Sequence, residues 1–91
     1  MIEQVRVIDL WRKNRDRAWI QYLERVYDLG YGRDFETIEY WLREFRAGAT
    51  STLVVDRNYS VTDGHHRLIA ANFAELKFID VNRCPQRSTY G

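Results

Sequence analysis

Apolar positions along this chain first alternate and then cycle. In the stretch from Ile2 to Leu10, Val5 and Val7 alternate with Arg6 and Ile8, a period of two that predicts a strand with one face more buried than the other. The polar run from Arg12 to Arg17 breaks that pattern. From about Asp16 the apolar residues Trp19, Ile20, Leu23, Val26 and Tyr27 recur at helical spacing, and Gly30 or Gly32 supplies the stop. A second helix follows, with Asp34 as N-cap, Glu36 in the first turn, and Phe35, Ile38, Trp41, Leu42 and Phe45 as its apolar stripe. Ala49 to Thr52 reads as a connection. Leu53 to Val55 and Tyr59 to Val61 read as two short strands hinged at Asp56-Arg57-Asn58. Leu68, Ile69, Phe73 and Leu76 give a third helix its inner face, and Phe78 to Val81 is the last strand. This order predicts an α+β fold, a small mixed sheet with about three helices.

Composition narrows the class. At 91 residues the chain reads as a single domain over positions 1–83 with a polar tail over 84–91. With 45% hydrophobic and 14% aromatic residues, it is too rich in large apolar groups for disorder. A formal net charge of +1 gives no global attraction to nucleic acid or anionic membrane, so any basic contact must be local. The lone Cys84 cannot form an internal disulfide, and no apolar run reaches membrane length. A cytoplasmic location and no membrane partner are the expectations.

Chemistry concentrates at Asp63-Gly64-His65-His66-Arg67, where a short extended run feeds into a helical one. Glycine admits a close backbone approach, and the first turn of a helix offers unpaired N–H groups at the positive end of its dipole. Gly64, His65, His66 and Arg67 are therefore the candidate phosphate binders. Arg67 adds a planar guanidinium suited to phosphate oxygens, while Asp63 can cap the helix or hold Mg²⁺. Asp63, His65 and His66 are the candidate catalytic groups. The histidines are adjacent, so they do not share a helical face and lack the i, i+4 spacing of a zinc pair. Which of them faces a ligand is open. Arg12, Lys13, Asn14, Arg15 and Arg17 form a second, polar and mostly basic cluster near Trp11 and Trp19, suited to nucleic-acid or nucleotide contacts.

The segment Tyr59 to Val81, YSVTDGHHRLIAANFAELKFIDV, resembles the signature region of the ParB/sulfiredoxin-like superfamily: strand, glycine-centred loop, helix with small residues, strand. Val5 to Leu10 followed by Arg12-Lys13-Asn14-Arg15 resembles, more weakly, that family's first strand and the Asn/Arg segment after it. The resemblance implies a nucleotide such as ATP, ADP or CTP with its phosphates on the loop and helix start. Sulfiredoxins carry a reactive cysteine where this chain has His65, so sulfinic-acid repair is poorly supported. The partition proteins carry an acidic residue and an arginine where His65 and His66 stand, together with a helix-turn-helix domain that 91 residues do not accommodate. The DGHHR form looks most like the kinase and small stand-alone members.

Three functions follow as expectations. The first is nucleotide-phosphate binding with Mg²⁺-dependent NTP hydrolysis or phosphoryl transfer. The second is a DNA-binding protein or nuclease using the same loop on backbone phosphate. The third is a catalytically silent interaction or inhibitor domain that meets a protein partner through its aromatic surface.

Overall fold

The computed structural model describes residues 1–84. In chain order the elements are β1 (Ile2–Arg6), α1 (Val7–Asn14), α2 (Ala18–Leu29), α3 (Arg33–Arg46), β2 (Thr52–Val55), β3 (Val61–Asp63), α4 (His65–Phe73) and β4 (Phe78–Arg83). The fold is α+β with a small mixed sheet, as the pattern predicts. Strand order is β1-β4-β2-β3, with β4 antiparallel to β1 and parallel to β2, and β2 antiparallel to β3.

Among the described residues four helices stand where about three are expected. The extra one is α1, which begins at Val7, so the first strand stops at Arg6 rather than reaching Leu10. The reason lies in the spacing: Val7, Leu10, Trp11 and Asn14 are the buried positions, an i, i+3, i+4, i+7 set that only a helix turns to one side. Arg12, Lys13 and Asn14, where the strand pattern breaks, are therefore helical residues.

Gly30 ends α2 in the left-handed conformation, φ 83°. The N-cap of α3 is Gly32 rather than Asp34, which lies inside the first turn with Glu36, where both carboxylates complement the helix dipole. The β2–β3 hairpin closes on Asp56, whose carboxylate accepts the N–H groups of Asn58 and Ser60. Tyr59 takes a positive φ of 66° at the end of that turn, so β3 starts at Val61 and not at Tyr59. The Tyr59 hydroxyl then reaches across to donate to Glu3, which also accepts from Arg83, binding the turn to the far side of the sheet. α4 ends at Phe73, short of Leu76, because Glu75 at φ 58° turns the chain toward β4.

Alternation along β2 and β4 buries Leu53, Val55, Ile79 and Val81 on one sheet face. The helices cover that face with Ile20, Leu23, Ile38, Leu42, Phe45, Leu68 and Ile69. Each fully buried Leu or Ile contributes about 1.5–3 kcal/mol over its exposed state. α4 is the most deeply set helix, with Leu68, Ile69, Ala70 and Ala71 all without exposed surface. Its first turn is fixed in place by that burial. No helix among the described residues is long and apolar enough to cross a membrane. The tail expected over 84–91 lies, Cys84 apart, outside the described residues; the Cys84 N–H donates to the Val55 carbonyl.

Candidate phosphate site at the start of the fourth helix

β3 delivers the chain to α4 through Asp63 and Gly64. Gly64 occupies the N-cap with φ 105°, and no side chain caps the helix. Asp63, a candidate cap by sequence, instead carries an exposed carboxylate whose Oδ2 lies 3.5 Å from a guanidinium nitrogen of Arg67. The first intrahelical bond runs from the Leu68 N–H to the Gly64 carbonyl, and the N–H groups of His65, His66 and Arg67 donate to no described residue. Three donors are thus left at the positive end of a well-buried helix.

The glycine has an internal reason to be there. A Cβ on Gly64 would sit 2.6 Å from the Leu53 Cδ2 and 3.2 Å from an Arg67 nitrogen. Side chains of the protein therefore occupy the space that glycine opens. Arg67 has its own commitments as well: Nη1 donates to the Ser51 hydroxyl at 2.7 Å and to the Thr52 carbonyl at 3.2 Å. Its guanidinium carbon lies 5.6 Å from the centre of the Trp41 ring. Arg67 fastens α4 to the start of β2, and it brings its charge to the loop as a fixed cation rather than as a free clamp.

The two histidines separate. His66 Nε2 meets Asp34 Oδ1 at 2.9 Å, a contact between the first turns of α4 and α3. His65 packs at the edge of Trp19, ring centres 6.5 Å apart. Burial, then the positive charge of Arg17, then His66 push the His65 pKa below its ordinary 6.5, with the Val61 carbonyl and Asp63 pulling the other way. Neutral His65 is the form the fold favours.

The basic segment does not stay together. Asn14 is fully buried and fully employed: Nδ2 donates to the Leu10 and Tyr59 carbonyls, while Oδ1 accepts from the Val61 N–H and from Arg17. That uses its whole hydrogen-bonding capacity, so it is a structural pin and has no polar atom left for a nucleotide. Arg17 turns inward too, donating to the Val61 carbonyl at 2.6 Å. Lys13 lines a groove of about 270 Å³ with Val5, Leu10 and Tyr59. Arg12, Lys13 and Arg15 stay exposed on the surface, and Arg15 lies 3.9 Å from Asp16.

Sequence reasoning missed Asp34 as a partner of His66 and the stacked pair of Trp19 and Tyr22. Those rings lie 5.1 Å apart at 15°, exposed at 45% and 42%, beside His65. The i, i+3 spacing of Trp19 and Tyr22 was the available signal for the second; nothing local in the sequence signals the first. Among the described residues no cluster of three or more His, Cys, Asp or Glu could hold a metal by protein ligands alone. Asp63, exposed at the rim, fits Mg²⁺ only in the manner of a single carboxylate that shares the ion with phosphate and water. Comparison with known proteins returns nothing: no family model, no curated protein and no solved structure matches the chain.

Proposed function

We propose that this protein is a nucleotide-phosphate-binding domain of the ParB/sulfiredoxin-like type that seats a phosphate on the start of α4 and hydrolyses or transfers it with Mg²⁺. The observation that supports the reading is a convergence at the start of α4: a glycine N-cap, N–H groups of His65, His66 and Arg67 with no hydrogen-bond partner among the described residues, and the Arg67 guanidinium beside them. Arg67 and Arg17, both tied to backbone carbonyls near the loop, supply positive potential without having to be reorganised. The exposed Trp19–Tyr22 pair next to His65 favours a ligand with an aromatic base over inorganic phosphate.

An amide-resolved NMR titration with ATP, ADP and CTP, with and without Mg²⁺, tests this directly, since the ligand contacts are N–H groups. The His65, His66 and Arg67 amides shift and the melting temperature rises by mass action, whereas a nucleoside without phosphate moves neither. Amides that stay still while any nucleotide binds elsewhere end the proposal. Shifts of the same amides by a single-stranded oligonucleotide at low salt, and by no mononucleotide, transfer the site to the nucleic-acid reading.

A further inference from the structure

Resting on that reading, the geometry points to Asp34 and His66 as a proton-transfer pair, with His66 as the group that takes the proton from the attacking water and Asp34 as the residue that positions it. Asp34 belongs to the first turn of α3 and His66 to the first turn of α4, 32 residues on, and their side chains meet at 2.9 Å. Both are partly exposed, with 29% and 27% of their side-chain surface open, so the pair is neither sealed in the core nor loose on the surface.

The chemistry of the contact assigns the ring. A carboxylate only accepts, so Nε2 carries the hydrogen; in the neutral ring the lone pair is then on Nδ1, for which no described residue is a partner. His66 is the second residue of α4, so its ring leaves the backbone at the turn whose N–H groups are unpaired. His65 is a weaker candidate for this task, because burial and the neighbouring Arg17 resist its protonation. A carboxylate facing one ring nitrogen holds the tautomer and the orientation of the ring, so that the other nitrogen is the one offered to the water.

The step balances as follows. A water O–H passes its proton to His66 Nδ1, the water oxygen bonds to the terminal phosphorus, and the bond from that phosphorus to the bridging oxygen breaks. The electron pair stays on the departing nucleotide, and the imidazolium later returns its proton to solvent or product.

The test measures nucleoside triphosphate hydrolysis with Mg²⁺ in the wild type and in Asp34→Asn, Asp34→Ala, His66→Gln and the Asp34→Ala/His66→Gln double variant. Calorimetric nucleotide affinity and ring ¹⁵N shifts are followed in parallel. His66→Gln should lower kcat roughly 100-fold, and Asp34→Asn and Asp34→Ala about tenfold or more, with KM and affinity little changed. The double variant should be no slower than His66→Gln, since a positioning residue has nothing left to position. The wild-type ¹⁵N spectrum should show the Nε2–H tautomer of His66, with that preference weakened in Asp34→Ala. A wild type that binds nucleotide but does not hydrolyse it, an unchanged kcat in both Asp34 variants, an additive double variant, or an Nδ1–H tautomer overturns the pair while leaving the binding reading intact. A wild type that binds no nucleotide overturns both.

Discussion

Asn14→Ala should be among the most damaging single changes in this small domain, although the residue is polar and lies in a basic stretch. Its Oδ1 is the acceptor for the N–H of Val61, a residue with no exposed surface, and its Nδ2 donates to the Tyr59 carbonyl. Alanine removes both contacts at once. A buried N–H left without a partner costs about 1–3 kcal/mol, and each ordinary hydrogen bond lost adds about 1 kcal/mol, so a destabilisation of about 2–4 kcal/mol is expected. The Leu10 carbonyl loses less, because it also belongs to the helix. For a domain of this size, each kcal/mol lowers the melting temperature by about 4–8 °C, so a drop of at least about 8 °C should be seen in a thermal scan. Urea unfolding should show a lower midpoint with an unchanged m-value, which places the effect in native contacts rather than in the unfolded chain. Asn14→Asp separates the roles, since it keeps the acceptor toward Val61 and Arg17 but turns an oxygen toward two carbonyls. It should also be destabilised. A loss below about 0.5 kcal/mol in Asn14→Ala, the range of an ordinary surface change, would refute the assignment of Asn14 as a pin.

Gly64→Ala should cost about 2–4 kcal/mol by urea unfolding, from positive-φ strain and the 2.6 Å approach to Leu53, and adding Leu53→Ala should cost less than the two single losses combined. Equal additivity of the pair would show that the close contact is relieved elsewhere. For His65, the folded state holds the pKa below 6.5, so the unfolded chain binds the proton first as pH falls. The stability this contributes is complete above 6.5 and is lost as pH drops from there to the folded value; urea unfolding across that window should show a slope that His65→Gln reduces. Identical pH profiles for the two proteins count against it.

Much of the fold is legible in the sequence because most elements have one unambiguous period. The stripe through Ile38, Leu42 and Phe45, the Asp56 turn and the alternation in β4 each read the same way from local pattern and from structure. α1 was hidden because Val5 and Val7 continue a two-residue alternation across the point where the chain changes from strand to helix. The signal that decides, Asn14 as the fourth member of a buried helical set, is a polar residue that hydropathy counts against burial. Its burial depends on Tyr59 and Val61, more than forty residues away. The Asp34–His66 contact is equally invisible to local reading, since it arises from how α3 packs on α4.

Several residues singled out by the motif turn out to have work inside the protein. Gly64 accommodates Leu53, Arg67 joins α4 to β2, Arg17 holds Val61, and Asn14 pins the hairpin. A mutation at any of them weakens the fold as well as any ligand contact, so loss of binding in Arg67→Ala would not by itself establish that Arg67 touches phosphate. What is left without a partner among the described residues is narrower and more informative: three N–H groups on the first turn of α4, one nitrogen of His66 and the exposed rings of Trp19 and Tyr22. The bare helix start is not unusual by itself, since α1, α2 and α3 also have no side-chain cap; what sets α4 apart is the glycine N-cap with the Arg67 guanidinium held beside it. Asp63 turns its carboxylate to Arg67, so the proposed phosphate contact rests on the three backbone N–H groups, and the amide-resolved titration rather than an Arg67 variant decides it.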